Sequence, residues 1–289
     1  MKQVTGSLES SNFILSRFVN QWPRRALHGR ACCFFCSLFV CAALSAIAVA
    51  VPIPVLHKEG TAHGFIVLKS KDGETLATGD MVQTVKRGRV TTDLVLHFKD
   101  GSIHQETAVY TQGKEFRLLT DHLRQDGPSF PKPIDAVIDV ASGNIRISIK
   151  KDGKDKSEDH HLQIPEDASN GLMIVVLKNI SPEAETTVSM VSTSEKPRVV
   201  KLRIRSEGEQ EFLENGSPRK ARNYVIHVDI GGIAGAVASI MGKQPPDVHI
   251  WQVEGPAPTF VRFDGPLYED GPIWSIQLAD LKWSSNGSP

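Results

Sequence analysis

His97, His104 and Glu106 are the residues whose types and spacing come closest to a metal-dependent chemistry. They flank Asp100-Gly101, an X-Gly pair of the kind that closes a two-residue β-hairpin, because Asp and Gly accept the positive φ of a type I′ turn. Folded that way, Lys99 faces Ser102, Phe98 faces Ile103 and His97 faces His104, with Glu106 one step further along beside Val95. Two imidazoles and a carboxylate on one face are a ligand set for a divalent cation, and the activity that follows is that of a metal-assisted hydrolase or lyase. The competing reading is a pair of ordinary solvent-facing histidines, since Leu94, Leu96, Phe98 and Ile103 form the apolar face.

Other chemistries are weaker. Cys33 and Cys36 have a redox or zinc spacing, but with Cys32 and Cys41 they lie inside an apolar run, and no cysteine follows Cys41. The glycine-rich stretch after Tyr224 fits neither nucleotide fingerprint: Gly231, Gly232 and Gly235 miss G-x-G-x-x-G, and Val237 and Gln244 stand where a phosphate loop needs Gly and Ser or Thr. No G-x-S-x-G or H-E-x-x-H motif is present. Asp121 and His122 are neighbours in a strand and therefore face opposite ways. Asp139 and Arg146, on either side of Ser142-Gly143, read as a cross-strand ion pair. No cofactor is implied.

The most unusual segment runs from Gly242 to Leu278, where Trp251, Phe260, Phe263, Tyr268 and Trp274 are interspersed with prolines. Prolines cut such a region into short strands and rigid turns, and aromatics on that frame close the end of a core or line the mouth of an apolar pocket. Trp251, Phe260, Tyr268 and Trp274 are accordingly the candidate ligand-binding residues, with Gly231 to Met241 as a wall.

These residues must be positioned by strands. Turn pairs recur at Asp72-Gly73, Arg87-Gly88, Asp100-Gly101, Gln112-Gly113, Ser142-Gly143 and Asp152-Gly153, with β-prone alternation between them. The pattern predicts a mainly β, β-dominated α+β fold: a long-stranded antiparallel meander forming an open or closed barrel around one or two short helices. The helix candidates are Pro165 to Asn179 and the uncharged Ile230 to Met241, the latter too short to span a bilayer.

Ahead of the strands, Ala31 to Val51 holds no charge and follows a basic stretch with Arg17, Arg24, Arg25 and Arg30. This is the order of an export signal, so residues 1–50 read as a signal peptide, cleaved after Ala48 or Ala50, or as an uncleaved signal anchor, and residues 51–289 as the exported β-barrel-like domain. The whole chain has 33 basic and 33 acidic residues; without Lys2, the four arginines and Glu9 of the leader these become 28 and 32, a net of −4. A mildly acidic domain with scattered cations argues against nucleic acid as a partner.

The stretches PEDASNGLMIVVLKNI, GGIAGAVASIMGKQPPDVHIW and FVRFDGPLYEDGPIW, with the opening hairpins, resemble an uncharacterised family of exported bacterial β-rich proteins, a domain of unknown function, over most of residues 60 to 280. Distantly, they resemble the half-barrel wrapped round a helix of the lipoprotein-localisation carriers. The nearer family implies no catalytic or binding residue, and the more distant likeness implies a carrier by analogy of fold alone. The expectation is an exported envelope or periplasmic protein, not an enzyme, that binds a hydrophobic ligand or a protein partner. Its membrane contact runs through the N-terminal segment if that is uncleaved, with residues 31–51 as an inner-membrane anchor and the domain outside the cytoplasm.

Overall fold

The computed structural model describes residues 52–151, 154–229, 244–279 and 281–283. The first eight strands follow one another as a simple antiparallel meander: β1 (Ala62–Lys69), β2 (Thr75–Lys86), β3 (Arg89–Phe98), β4 (Ile103–Gln112), β5 (Phe116–Asp126), β6 (Ile134–Asp139), β7 (Asn144–Lys151) and β8 (Lys154–His161). A short helix, α1 (Met173–Leu177), and β9 (Thr186–Val191) lead to a second meander. It comprises β10 (Val199–Glu214), β11 (Ser217–Asp229), β12 (Val248–Val253), β13 (Thr259–Gly265) and β14 (Trp274–Leu278), followed by β15 (Leu281–Trp283). The two meanders join where β14 pairs with β1, giving one continuous antiparallel sheet.

That sheet curls but stays open. β9 lies beyond β10 at one end of the strand order, yet its Val191 packs with Ala136, Ile138, Ile145 and Ile147 of β6 and β7 near the other end. The free flank of β8 carries KDKSEDHH, a charged sequence that discourages further strand pairing. Inside the curl, Leu172, Val175, Val176 and Leu177 of the α1 turn meet Ile66, Leu68, Leu96, Tyr110, Leu202, Ile226 and Ile276 in the main core. The fold is thus mainly β, an open meander around a short helix, as the turn pattern predicts.

Details differ from the sequence reading. The helix expected over Pro165 to Asn179 is only Met173–Leu177, because the chain before it turns at Gly171 in the left-handed region (φ 62°) and Leu172 makes no side-chain cap. Arg87-Gly88 is a two-residue turn with both φ positive, but Asp100-Gly101 is not. There Phe98 N–H donates to Ser102 O and only Gly101 is left-handed, so Lys99, Asp100 and Gly101 together form the loop. The register slips by one, to His97 opposite Ile103 and Leu96 opposite His104. Asp139 opposes Asn144, not Arg146; it accepts from Ser142, while Arg146 pairs with Asp159 of β8. The Ile230 to Met241 helix candidate and the export segment lie outside the described residues. Among the described residues no helix is long and apolar enough to cross a membrane.

Candidate functional site

A one-residue slip turns every side chain of a strand to the other face. His97 is therefore exposed, whereas His104 is buried, and the structure does not bring His97, His104 and Glu106 together as an outward-facing trio. No cluster of three metal-ligating side chains occurs among the described residues. His104 faces the interior, where Gln125 Nε2 donates to its Nδ1 at 3.0 Å and also to Leu267 O at 2.6 Å. Burial drives its pKa down to about 4, so the ring is neutral at physiological pH.

Glu106 shares that interior face with a residue the alternation in the sequence conceals. Phe116 and Leu118 of β5 point inward, which by parity sends Asp121 outward. A bulge at Leu119 inverts the phase, and Asp121 comes in opposite Ala108. His122 consequently faces out, within 3.0 Å of Asp135. Asp121 Oδ1 is buried with no hydrogen-bond partner, and burial next to Glu106 raises the pKa of Asp121 well above its usual value. Burial likewise lifts Glu106, to about 6. Gly171 lies over the pair: a Cβ there would stand 2.6 Å from Ala108 Cβ and 3.1 Å from Asp121 Oδ1, so no side chain fits. The arrangement can hold a proton and exchange it near neutral pH.

The four aromatic candidates divide among three places. Ile250 and Gln252 face the α1 side of β12, with Gln252 Nε2 donating to Leu177 O, and Trp251 between them faces the opposite side. It packs with Phe212, Ala221, Val261 and Leu281, under the Arg262 guanidinium 4.9 Å from the ring centre. Phe260 sits in the main core. Tyr268 and Trp274 do meet, 5.9 Å apart, and close one end of the curl with Phe98 and Phe130, whose rings lie 5.3 Å from each other. Phe130 touches all of these and His104, and sequence reading missed it because it stands alone in a proline-flanked loop. Around the β3–β4 loop at this end a shallow depression of about 330 Å³ is lined by His97, Phe98, Ser102, Ile103, Arg124 and Asp126, and of the four rings only Phe98 borders it.

The opposite end is built differently. Ile53 to Glu59 crosses the β4–β5 hairpin, with Val55 N–H donating to Lys114 O and Phe116 N–H to Ile53 O. Asn179 Oδ1 accepts from the backbone of Leu56 and His57, and Lys178 pairs with buried Glu59 at 3.0 Å. Gln83 and Gln112 complete the Glu59 contacts.

No protein-family model, curated protein or solved structure matches the chain.

Proposed function

We propose that the chain is an exported, non-enzymatic binding or carrier domain of the periplasm or cell envelope. Its aromatic end takes a hydrophobic, lipid-like ligand, and residues 1–50 act as its signal peptide or anchor. The observation that supports this reading is the cluster of Phe98, Phe130, Tyr268 and Trp274, with Tyr268 half-buried and Ile273 exposed beside it. The neighbouring depression, where Phe98 and Ile103 stand beside Arg124 and Asp126, offers the apolar and charged groups an amphiphile needs, and its size is that at which small-molecule sites begin, roughly 300 Å³. Native mass spectrometry of the gently purified protein tests it: a retained lipid is expected. Absence of any bound amphiphile, together with silence of the tryptophan emission toward fatty acids and lysophospholipids, would count against the reading and favour a protein partner.

A second reading, proton-transfer chemistry, is favoured by one observation, the interior Glu106–Asp121 pair of raised pKa. The metal-assisted hydrolase or lyase that also requires His97 stays separable by measuring bound metal in the wild type and in His97→Ala. Equal, negligible content in both ends that version.

A further inference from the structure

At the end of the curl opposite the aromatic rings, the β2–β3 and β4–β5 turns and the segment that crosses them carry unpaired cations. Lys86, Arg87 and Arg89 surround the β2–β3 turn, Arg89 opposes Thr111 at the base of the neighbouring β4–β5 hairpin, and Lys114 sits at that hairpin's tip. Lys58 follows the segment hydrogen-bonded to Lys114. All five cations are exposed, and among the described residues none is in an ion pair. The carboxylates next to these cations in the chain are already engaged, Glu59 with Lys178 and Glu115 with Arg117, which also takes Glu166. Between the cations the chain exposes Pro54 and Leu56, the latter 66% accessible. This basic surface belongs to a mildly acidic domain, and the sequence enters it from the apolar Ala31 to Val51 run, two residues before Ile53, whose carbonyl accepts from Phe116 N–H.

We infer that this end docks on a bilayer containing anionic phospholipid, with Lys58, Lys86, Arg87, Arg89 and Lys114 over the headgroups and Leu56 dipping between them. Five cations around an exposed apolar residue complement a negative lipid surface. The inference rests on the uncleaved-anchor form of the export reading for bringing this end to a membrane and does not depend on the ligand at the aromatic end.

The test uses the full chain in nanodiscs of phosphatidylcholine alone or mixed with phosphatidylglycerol, followed by hydrogen–deuterium exchange. Amides of the Arg87-Gly88 and Gly113-Lys114 turns should exchange about ten-fold more slowly in the anionic discs, each cation being worth roughly five-fold in association. The Lys99–Gly101 loop, at the opposite end beside the aromatic rings, should be the same in both. The triple substitution Lys86→Glu, Arg87→Glu, Arg89→Glu should abolish the difference, and so should high salt on the wild type, which screens the charges without any mutation. Equal exchange in the two lipid compositions would overturn the proposal and give this surface to an acidic protein or to solvent. Slowing that survives both charge reversal and salt would overturn it too. Neither failure touches the ligand reading, which is measured at Trp274.

Discussion

The two ends of the curled sheet solve the same problem, closing an open antiparallel meander, with opposite materials. At one end Phe98, Phe130, Tyr268 and Trp274 interlock edge to face, and the closure is apolar packing. At the other, the chain from Ile53 to Glu59 is strapped down by backbone and side-chain hydrogen bonds and the Glu59–Lys178 pair, and the surface outside it is cationic. A ring cluster leaves half-buried apolar surface that a ligand can extend, whereas a polar strap satisfies its own groups and leaves charge, with Leu56 exposed among it, to offer. The difference predicts two kinds of partner, an apolar one and an anionic surface.

The comparison breaks first at Phe130. It is 2% exposed and touches every ring at its end, so Phe130→Ala should cost about 3–5 kcal/mol in chemical denaturation, while Leu56→Ala at the other end should change stability by less than about 0.5 kcal/mol. If the two costs were similar, the aromatic end would not be a packed closure. Next, Lys178→Met leaves the buried Glu59 carboxylate with only the Gln83 amide and should cost about 3 kcal/mol; a neutral result would mean the strap does not need its ion pair.

Between the ends, the ionisable interior sets the pH dependence, with two opposing signs. Glu106 has its pKa raised from 4.5 to about 6, so the folded state keeps a proton the unfolded state has released. Its stabilisation is full below about 4.5 and is lost as pH rises through 6, by about 2 kcal/mol, and Asp121 carries the decline further. His104, lowered from 6.5 to about 4, works the other way: its contribution is present above 6.5 and is lost as pH falls toward 4. Unfolding midpoints against pH should therefore lose their alkaline decline in Asp121→Asn and Glu106→Gln. A decline unchanged in both would show that the pair is not titrating inside the fold. The smallest effect belongs to the charge-reversed Lys86, Arg87 and Arg89 variant, whose stability should stay within about 0.5 kcal/mol of the wild type, these side chains being exposed and unpaired among the described residues.

How much of this was legible depended on which signal carried it. X-Gly pairs announced the strands of the first meander, because positive φ at a turn is a local demand. The register at Asp100-Gly101 was not local, since a two-residue and a three-residue loop suit the same dipeptide, and the one-residue difference decided which face held His104 and Glu106. Asp121 was hidden by the bulge at Leu119, which no periodicity displays. β10 and β11 extend well past the apolar stretches to the Asn215-Gly216 turn, where both residues have positive φ; their polar alternation in that extension masked a strong hairpin signal. Trp251 and Trp274 looked equivalent in a proline-cut segment, and only the pairing of β12 with β11 and β13 separates an outer-face tryptophan from an end-closing one.

That separation offers the most direct measurement. Tryptophan emission of the full chain titrated with a lysophospholipid should shift and saturate, persist in Trp251→Phe, and vanish in Trp274→Phe with folding retained by circular dichroism. A response that survives Trp274→Phe, or disappears with Trp251→Phe, would contradict ligand binding at the aromatic end.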